Sequence, residues 1–167
     1  MTELKPPDSH FLSAAEGWLE LGDVPEARAE LDLIQAGFRE HPEVLKVRWA
    51  ICAQEKDWLA ALHVGRRLVG LSPEEPFGWL HQAYALRRAP EGGLKAAWDS
   101  LFPALEKFPD IPIIPYNLAC YACQLGQWDQ ARELLKRALT IGDGRHIREI
   151  ALQDPDLQPL WTEIPEL

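Results

Sequence analysis

Cysteine, methionine and positive charge are all scarce in this 167-residue chain, and no long apolar run interrupts it. Three cysteines are too few for a disulfide framework and do not pair off, which points to a reducing, cytoplasmic setting. No stretch approaches the ~20 apolar residues that a membrane-crossing helix needs. The opening Met1–Phe11 (MTELKPPDSHF) lacks the apolar core of a secretory signal, so neither export nor a membrane partner is expected. Lys plus Arg number 17 against 26 Asp plus Glu, a net charge of −9. That balance argues against nucleic acid or an anionic membrane as the main partner. With 47% apolar and 26% charged residues, the chain has enough core-forming material to fold as one domain, residues 1–167.

Reactive constellations are equally sparse. Cys120 and Cys123 form a CxxC, but no second CxxC and no His pair at metal-ligand spacing accompany it. The cysteines therefore read as small apolar residues at helix contacts. His10, His41, His63, His81 and His146 are scattered, the four serines lie outside any GxSxG elbow, and Gly142-x-Gly144 lacks the lysine of a phosphate loop. Asp154 and Asp156 do not stand in a calcium-loop pattern. The pairs Arg66-Arg67, Arg87-Arg88 and Lys136-Arg137 read as solvated helix surface. No catalytic residue, metal site or cofactor is expected, and the chain reads as a non-enzyme.

A repeat is present instead. Alanine recurs at Ala27, Ala61, Ala97 and Ala131, at spacings of 34, 36 and 34. Buried-type positions follow seven residues later, at Ile34, Leu68, Ala104 and Ala138, and precede by three, at Val24, Trp58, Leu94 and Trp128. Within Trp128–Leu139 the apolar residues fall at steps of three and four, a helical stripe, and a second helix-like segment precedes each alanine-bearing one. The first segments are roughly Ser9–Leu21, Glu43–Gln54, Glu75–Arg88 and Ile113–Leu125. The second are Asp23–Ile34, with an extension towards Phe38, Asp57–Leu68, Gly93–Ala104 and Gln127–Ala138. Gly22 and Gly126 suit the left-handed end of the first helices, and Asp23 and Asp57 suit the N-caps of the second. Pro42, Pro73 and Pro109 separate the copies. Seven tryptophans are expected to supply much of the buried area.

These features, best seen from Asn117-Leu118-Ala119-Cys120-Tyr121 through Gly126, Trp128, Ala131 and Ala138, resemble the tetratricopeptide repeat (TPR), over about residues 9–142. The resemblance implies an all-α, right-handed α-solenoid of about four helical hairpins, with repeats at about 9–41, 42–74, 75–110 and 111–142. Copy three carries two extra residues around Ala89–Gly93, and the first helix of copy two looks short. Residues 145–167, with a DPDL at Asp154–Leu157, resemble the C-terminal capping segment of bacterial members and are expected to cover the last apolar face.

In such proteins the first helices line a concave groove. The repeat frame places Glu16, Glu20, Lys46, Gln54, Trp79, Gln82, Tyr116, Asn117 and Gln124 there, along with Glu43, Leu86 and Cys120. Asn117 resembles the asparagine that members use to hold a peptide backbone. The carboxylate clamp of some members needs paired basic residues, and Lys46 alone is available. The reading is a scaffold that binds a peptide or protein segment in its groove. Alternatives of the same architecture are a small chaperone for a secreted protein and a self-associating module forming a homodimer.

Overall fold

Each helical hairpin is set by its turn. In a computed structural model describing residues 3–167, helix α1 (Asp8–Glu20) stops at Leu21, and the chain reverses through Gly22 into α2 (Val24–Leu33). The amides of Gly22 and Asp23 donate back to the carbonyls of Leu19 and Trp18, at 3.0 and 2.9 Å. This double closure requires a left-handed residue, and Gly22 has φ +80°. The same closure recurs between α3 (Pro42–Gln54) and α4 (Trp58–Leu71), where Lys56 and Asp57 donate to Ala53 and Cys52. It recurs again between α8 (Ile113–Gln124) and α9 (Trp128–Ile141), where Gly126 and Gln127 donate to Cys123 and Ala122. Gly126 has φ +75°, whereas Lys56 takes the same conformation, φ +59°, with a β-carbon in the way. Asp23 and Asp57 cap the second helices as expected, accepting from Glu26 N at 3.2 Å and Ala60 N at 3.0 Å.

The chain divides into two compact units, one ending at Ala85 and one running from Leu86 to Leu167, so that the boundary falls within α5 (Pro76–Arg88). In the first unit, α1 packs on α2 and α3, and α3 on α4. Its core joins Leu12, Ala15, Ala27, Leu31, Ile34, Val44, Val47 and Ile51. Helices α4 and α5 approach closely: a β-carbon on Gly65 would come within 2.8 Å of the Gln82 Cα, and one on Gly78 within 2.8 Å of the Val69 amide nitrogen. The second unit holds α6 (Leu94–Leu101), α7 (Ala104–Lys107), α8, α9 and α10 (Gly144–Ala151), then 3₁₀ turns at Pro155–Leu160 and Ile164–Glu166. No strand occurs among the described residues, and none of their helices is long and apolar enough to cross a membrane.

Two of the three repeat positions are buried as the spacing predicts, whereas the third is not: Val24, Trp58 and Leu94 are half-buried and Trp128 is exposed. Ala27, Ala61, Ala97 and Ala131 have no exposed surface, and Ile34, Leu68, Ala104 and Ala138 are at most 2% exposed. Several finer expectations are corrected. Helix α2 does not extend towards Phe38. Buried Asp8 accepts from the Gln35 backbone at 2.8 Å and from its side-chain amide at 3.0 Å, which pulls the chain into an extended Ile34 before a separate 3₁₀ turn at Ala36–Phe38. Helix α3 has 13 residues, one more than α8, and is not short. The expected helix Gly93–Ala104 breaks after Leu101, because Pro103 has no amide hydrogen to continue it. The Ser72 amide closes α4 on Leu68 O at 2.8 Å, while its Oγ is buried and makes no hydrogen bond. Tryptophan does not dominate the core. Trp49 is buried, whereas Trp128, the first residue of α9, is 54% exposed.

The turns generate a paired prediction. Lys56→Gly removes a left-handed β-carbon that costs about 1–2 kcal/mol, less the entropy glycine loses on folding, so it should raise stability by up to about 1 kcal/mol. Gly126→Ala should lower it by about 1–2 kcal/mol. Chemical-denaturation midpoints of the two variants check both signs.

Candidate peptide-binding faces

Residues four apart on a helix share a face, which places Tyr116, Cys120 and Gln124 in one row along α8. That row is covered by the chain's own C-terminal segment. The Tyr116 hydroxyl donates to Asp154 Oδ2 at 2.9 Å, the Cys120 thiol to the same oxygen at 3.5 Å, and the Gln124 amide to the Asp156 carbonyl at 2.9 Å. Arg87, from the last turn of α5, grips Asp156 with both terminal nitrogens, one of them 2.7 Å from Oδ1, and lies 5.7 Å from the Tyr121 ring centroid. Asp154 also caps the 3₁₀ turn, accepting from Asp156 N at 2.9 Å. Leu157 and Leu160 sink beneath it, at 0% and 1% exposure. The Trp161 indole donates to the Ala151 and Asp154 carbonyls at 3.0 and 3.2 Å. Arg132 on α9 pairs with Glu163 at 2.5 Å, a contact that raises the arginine's pKa and lowers the carboxylate's.

The electrostatics keep the donors protonated. Desolvation, with the carboxylates of Asp154 and Asp156, pushes the Tyr116 hydroxyl and the Cys120 thiol well above their usual ranges. Burial likewise raises Tyr121 to about 12 and lifts Cys123 and Cys52. Asp156, through its hydrogen bonds, raises Arg87 against the cost of burial. A thiol so disposed is a hydrogen-bond donor, not a nucleophile. Ligand atoms of Cys120, Asp154 and Asp156 lie within 4.8 Å of one another, but Arg87 already neutralises Asp156 and two donors already fill Asp154 Oδ2. This is a latch closed by a guanidinium, not a cradle built for a cation. Asn117, one residue on from Tyr116, is half-buried on a different face of α8.

The first unit presents a different surface. Lys46 is held by Glu43 at 2.8 Å and Glu75 at 3.0 Å and sits 5.6 Å from the centroid of Phe77. Partial burial lowers its pKa, but the hydrogen bonds and charges of the two glutamates outweigh this and leave it raised. Behind Phe77, His81 stacks on that ring at 3.6 Å and meets Trp49 edge-on at 4.3 Å, with Tyr84 6.0 Å from Trp49. The His81 Nδ1 lies 2.8 Å from the Phe77 carbonyl, which can only accept, so Nδ1 carries the proton of the neutral ring. The Trp79 indole donates to Pro73 O at 3.0 Å and the exposed Gln54 to Leu19 O at 3.3 Å. Glu16 and Glu20 are exposed on α1, and Gln82 is half-buried on α5, its backbone against Gly65.

Sequence reasoning thus placed Tyr116, Cys120 and Gln124 on one face and missed what covers it. Arg87 and Arg137, taken as solvated, are half-buried and bonded, Arg137 donating to Leu105 O at 2.9 Å. The paired carboxylates of DPDL were the available signal for a basic partner.

The sequence matches no family model and no curated protein. Solved structures do match across most of the chain. A thermophilic TPR protein of Thermus thermophilus superposes with a TM-score of 0.70 at 22% identity, covering 94% of this chain and 82% of its own. The fold is TPR-like. MamA RS-1, solved as a double mutant, also gives a TM-score of 0.70, at 15% identity, covering 85% of this chain and 79% of its own. The described residues are all-α, as expected from the resemblance.

One pH dependence follows. Desolvation lowers the His81 pKa below its usual 6.5, with the Phe77 hydrogen bond opposing in part. The unfolded chain therefore takes up this proton first, so the contribution to stability is full above 6.5 and declines as pH falls below it. Thermal melts taken between about pH 7.5 and pH 5 should show this decline in the parent chain and a shallower one in His81→Phe.

Proposed function

We propose that this chain is a non-enzymatic interaction scaffold that holds a peptide or protein segment on the faces of its first helices. In the first unit the contact residues are Glu16, Glu20, Lys46, Gln54, Trp79 and Gln82. In the second they are Tyr116, Asn117 and Gln124. The setting is cytoplasmic. One observation carries the reading: the α8 face already holds a short 3₁₀ stretch of chain through a side-chain amide on a main-chain carbonyl, a charge pair and buried leucines. Those are elements by which a groove recognises a short peptide segment. The TPR-like fold supports the same reading by analogy of architecture.

A peptide array probed with the intact chain tests it. A discrete set of peptides should bind, and Lys46→Ala/Gln54→Ala or Asn117→Ala should weaken part of that set by about tenfold or more. Binding that ignores both variants, or that maps to the exposed side of α9, contradicts it.

A further inference from the structure

We propose that the α8 face, completed by Arg87, is a recognition site for an acidic Asp-x-Asp-Leu segment of a partner protein, and that residues 154–157 hold it closed until such a segment displaces them. The inference rests on the scaffold reading and specifies its ligand chemistry.

Each feature of the site answers one feature of the segment. Tyr116 and Cys120 converge on a single carboxylate oxygen of the first aspartate. The second aspartate receives the two-pronged grip of Arg87, a geometry that selects a planar carboxylate. Gln124 reads the main-chain carbonyl of that second aspartate, so it anchors the backbone and leaves side-chain selection to Arg87. The leucine that follows is wholly enclosed. Such a set matches an acidic peptide and leaves two buried donors and a cation unmatched if the segment departs.

The surroundings offer an incoming chain a foothold. Beside Asp154 lies an open cavity of about 400 Å³ bordered by His146, Glu149 and Gln153. Next to Tyr116 lies a second, of about 200 Å³, walled by Pro112, Ile113, Ile147 and Ile150. Ile113 and Ile150 are each exposed by more than two-fifths. A partner segment carrying an apolar residue ahead of its acidic pair can seat there first and then compete for Arg87. The resident segment has the advantage of attachment, equivalent to an effective concentration of about millimolar, so the intact chain should bind such a peptide weakly.

The test uses the full chain and a fluorescein-labelled synthetic peptide, LQDPDLQPLW, matching residues 152–161. Asp154→Ala/Asp156→Ala should bind it about tenfold more tightly than the parent chain, Arg87→Met should abolish that gain, and a peptide with both aspartates changed to asparagine should not bind. Equal affinity for parent and double variant, or no binding by a folded double variant, overturns the proposal. Where that variant loses its helical circular dichroism, hydrogen exchange on the parent decides: millimolar peptide should lower protection of the 155–161 amides about fivefold or more, and unchanged protection overturns it. Sedimentation under the same conditions should show a monomer; a dimer exchanging these segments would assign the site to a second copy and overturn the partner claim. Array peptides that lack an acidic pair and ignore Arg87→Met would remove this inference and leave the scaffold standing, whereas an array with no binders removes the scaffold reading and this inference with it.

Discussion

How closely two helix backbones can approach depends on the side chain between them, and in each unit that side chain is small. Ala27 and Ala61 in the first unit and Ala97 and Ala131 in the second have no exposed surface. Gly65 and Gly78 carry the same logic further, where α4 and α5 leave no room even for a methyl group. A short hairpin on its own buries little and is marginal in water. Close crossings let the next helix seal the stripe, so stability comes from neighbouring contacts and not from any single helix. The turns serve that end: the same two-bond closure after α1, α3 and α8 fixes how each second helix folds back on its first.

Helices committed to packing on one side are left with another side to use. In the second unit that side holds the chain's own segment through Tyr116, Cys120, Gln124 and Arg87. Burial raises the affinity of the tyrosine and cysteine for their protons, which fixes them as donors and makes a carboxylate the natural partner. In the first unit the corresponding resources are aromatic: Phe77 and His81 stack, with Trp49 edge-on to His81, behind a lysine already balanced by two glutamates. The two faces therefore differ in make-up, one of hydrogen-bond donors and a guanidinium and one of aromatic rings with balanced charge.

What was legible in the sequence is what repeats. Four alanines in step gave the crossings, and glycine and aspartate in fixed positions gave turns and caps, because these depend on residues only a few positions apart. What was not legible depends on distant pairs. Asp8 meets Gln35 across 27 positions and ends α2 early. Arg87 meets Asp156 across 69, so a basic dipeptide that looked solvated became the clasp of the tail. Local chemistry was also outweighed by context at Trp128, an apolar residue in the correct register that no later helix covers. Lys56 hid a turn that glycine marks elsewhere.

The crossings are the point on which the account is most exposed. Helix α2 supplies its own control, since Ala27 is enclosed and Ala29, two residues on, faces solvent. Denaturant titration of Ala27→Leu and Ala29→Leu, with Ala131→Leu as the counterpart in the second unit, measures the constraint directly. The account predicts losses of about 1–3 kcal/mol at Ala27 and Ala131 and less than about 0.5 kcal/mol at Ala29. Equal effects at all three positions would contradict it.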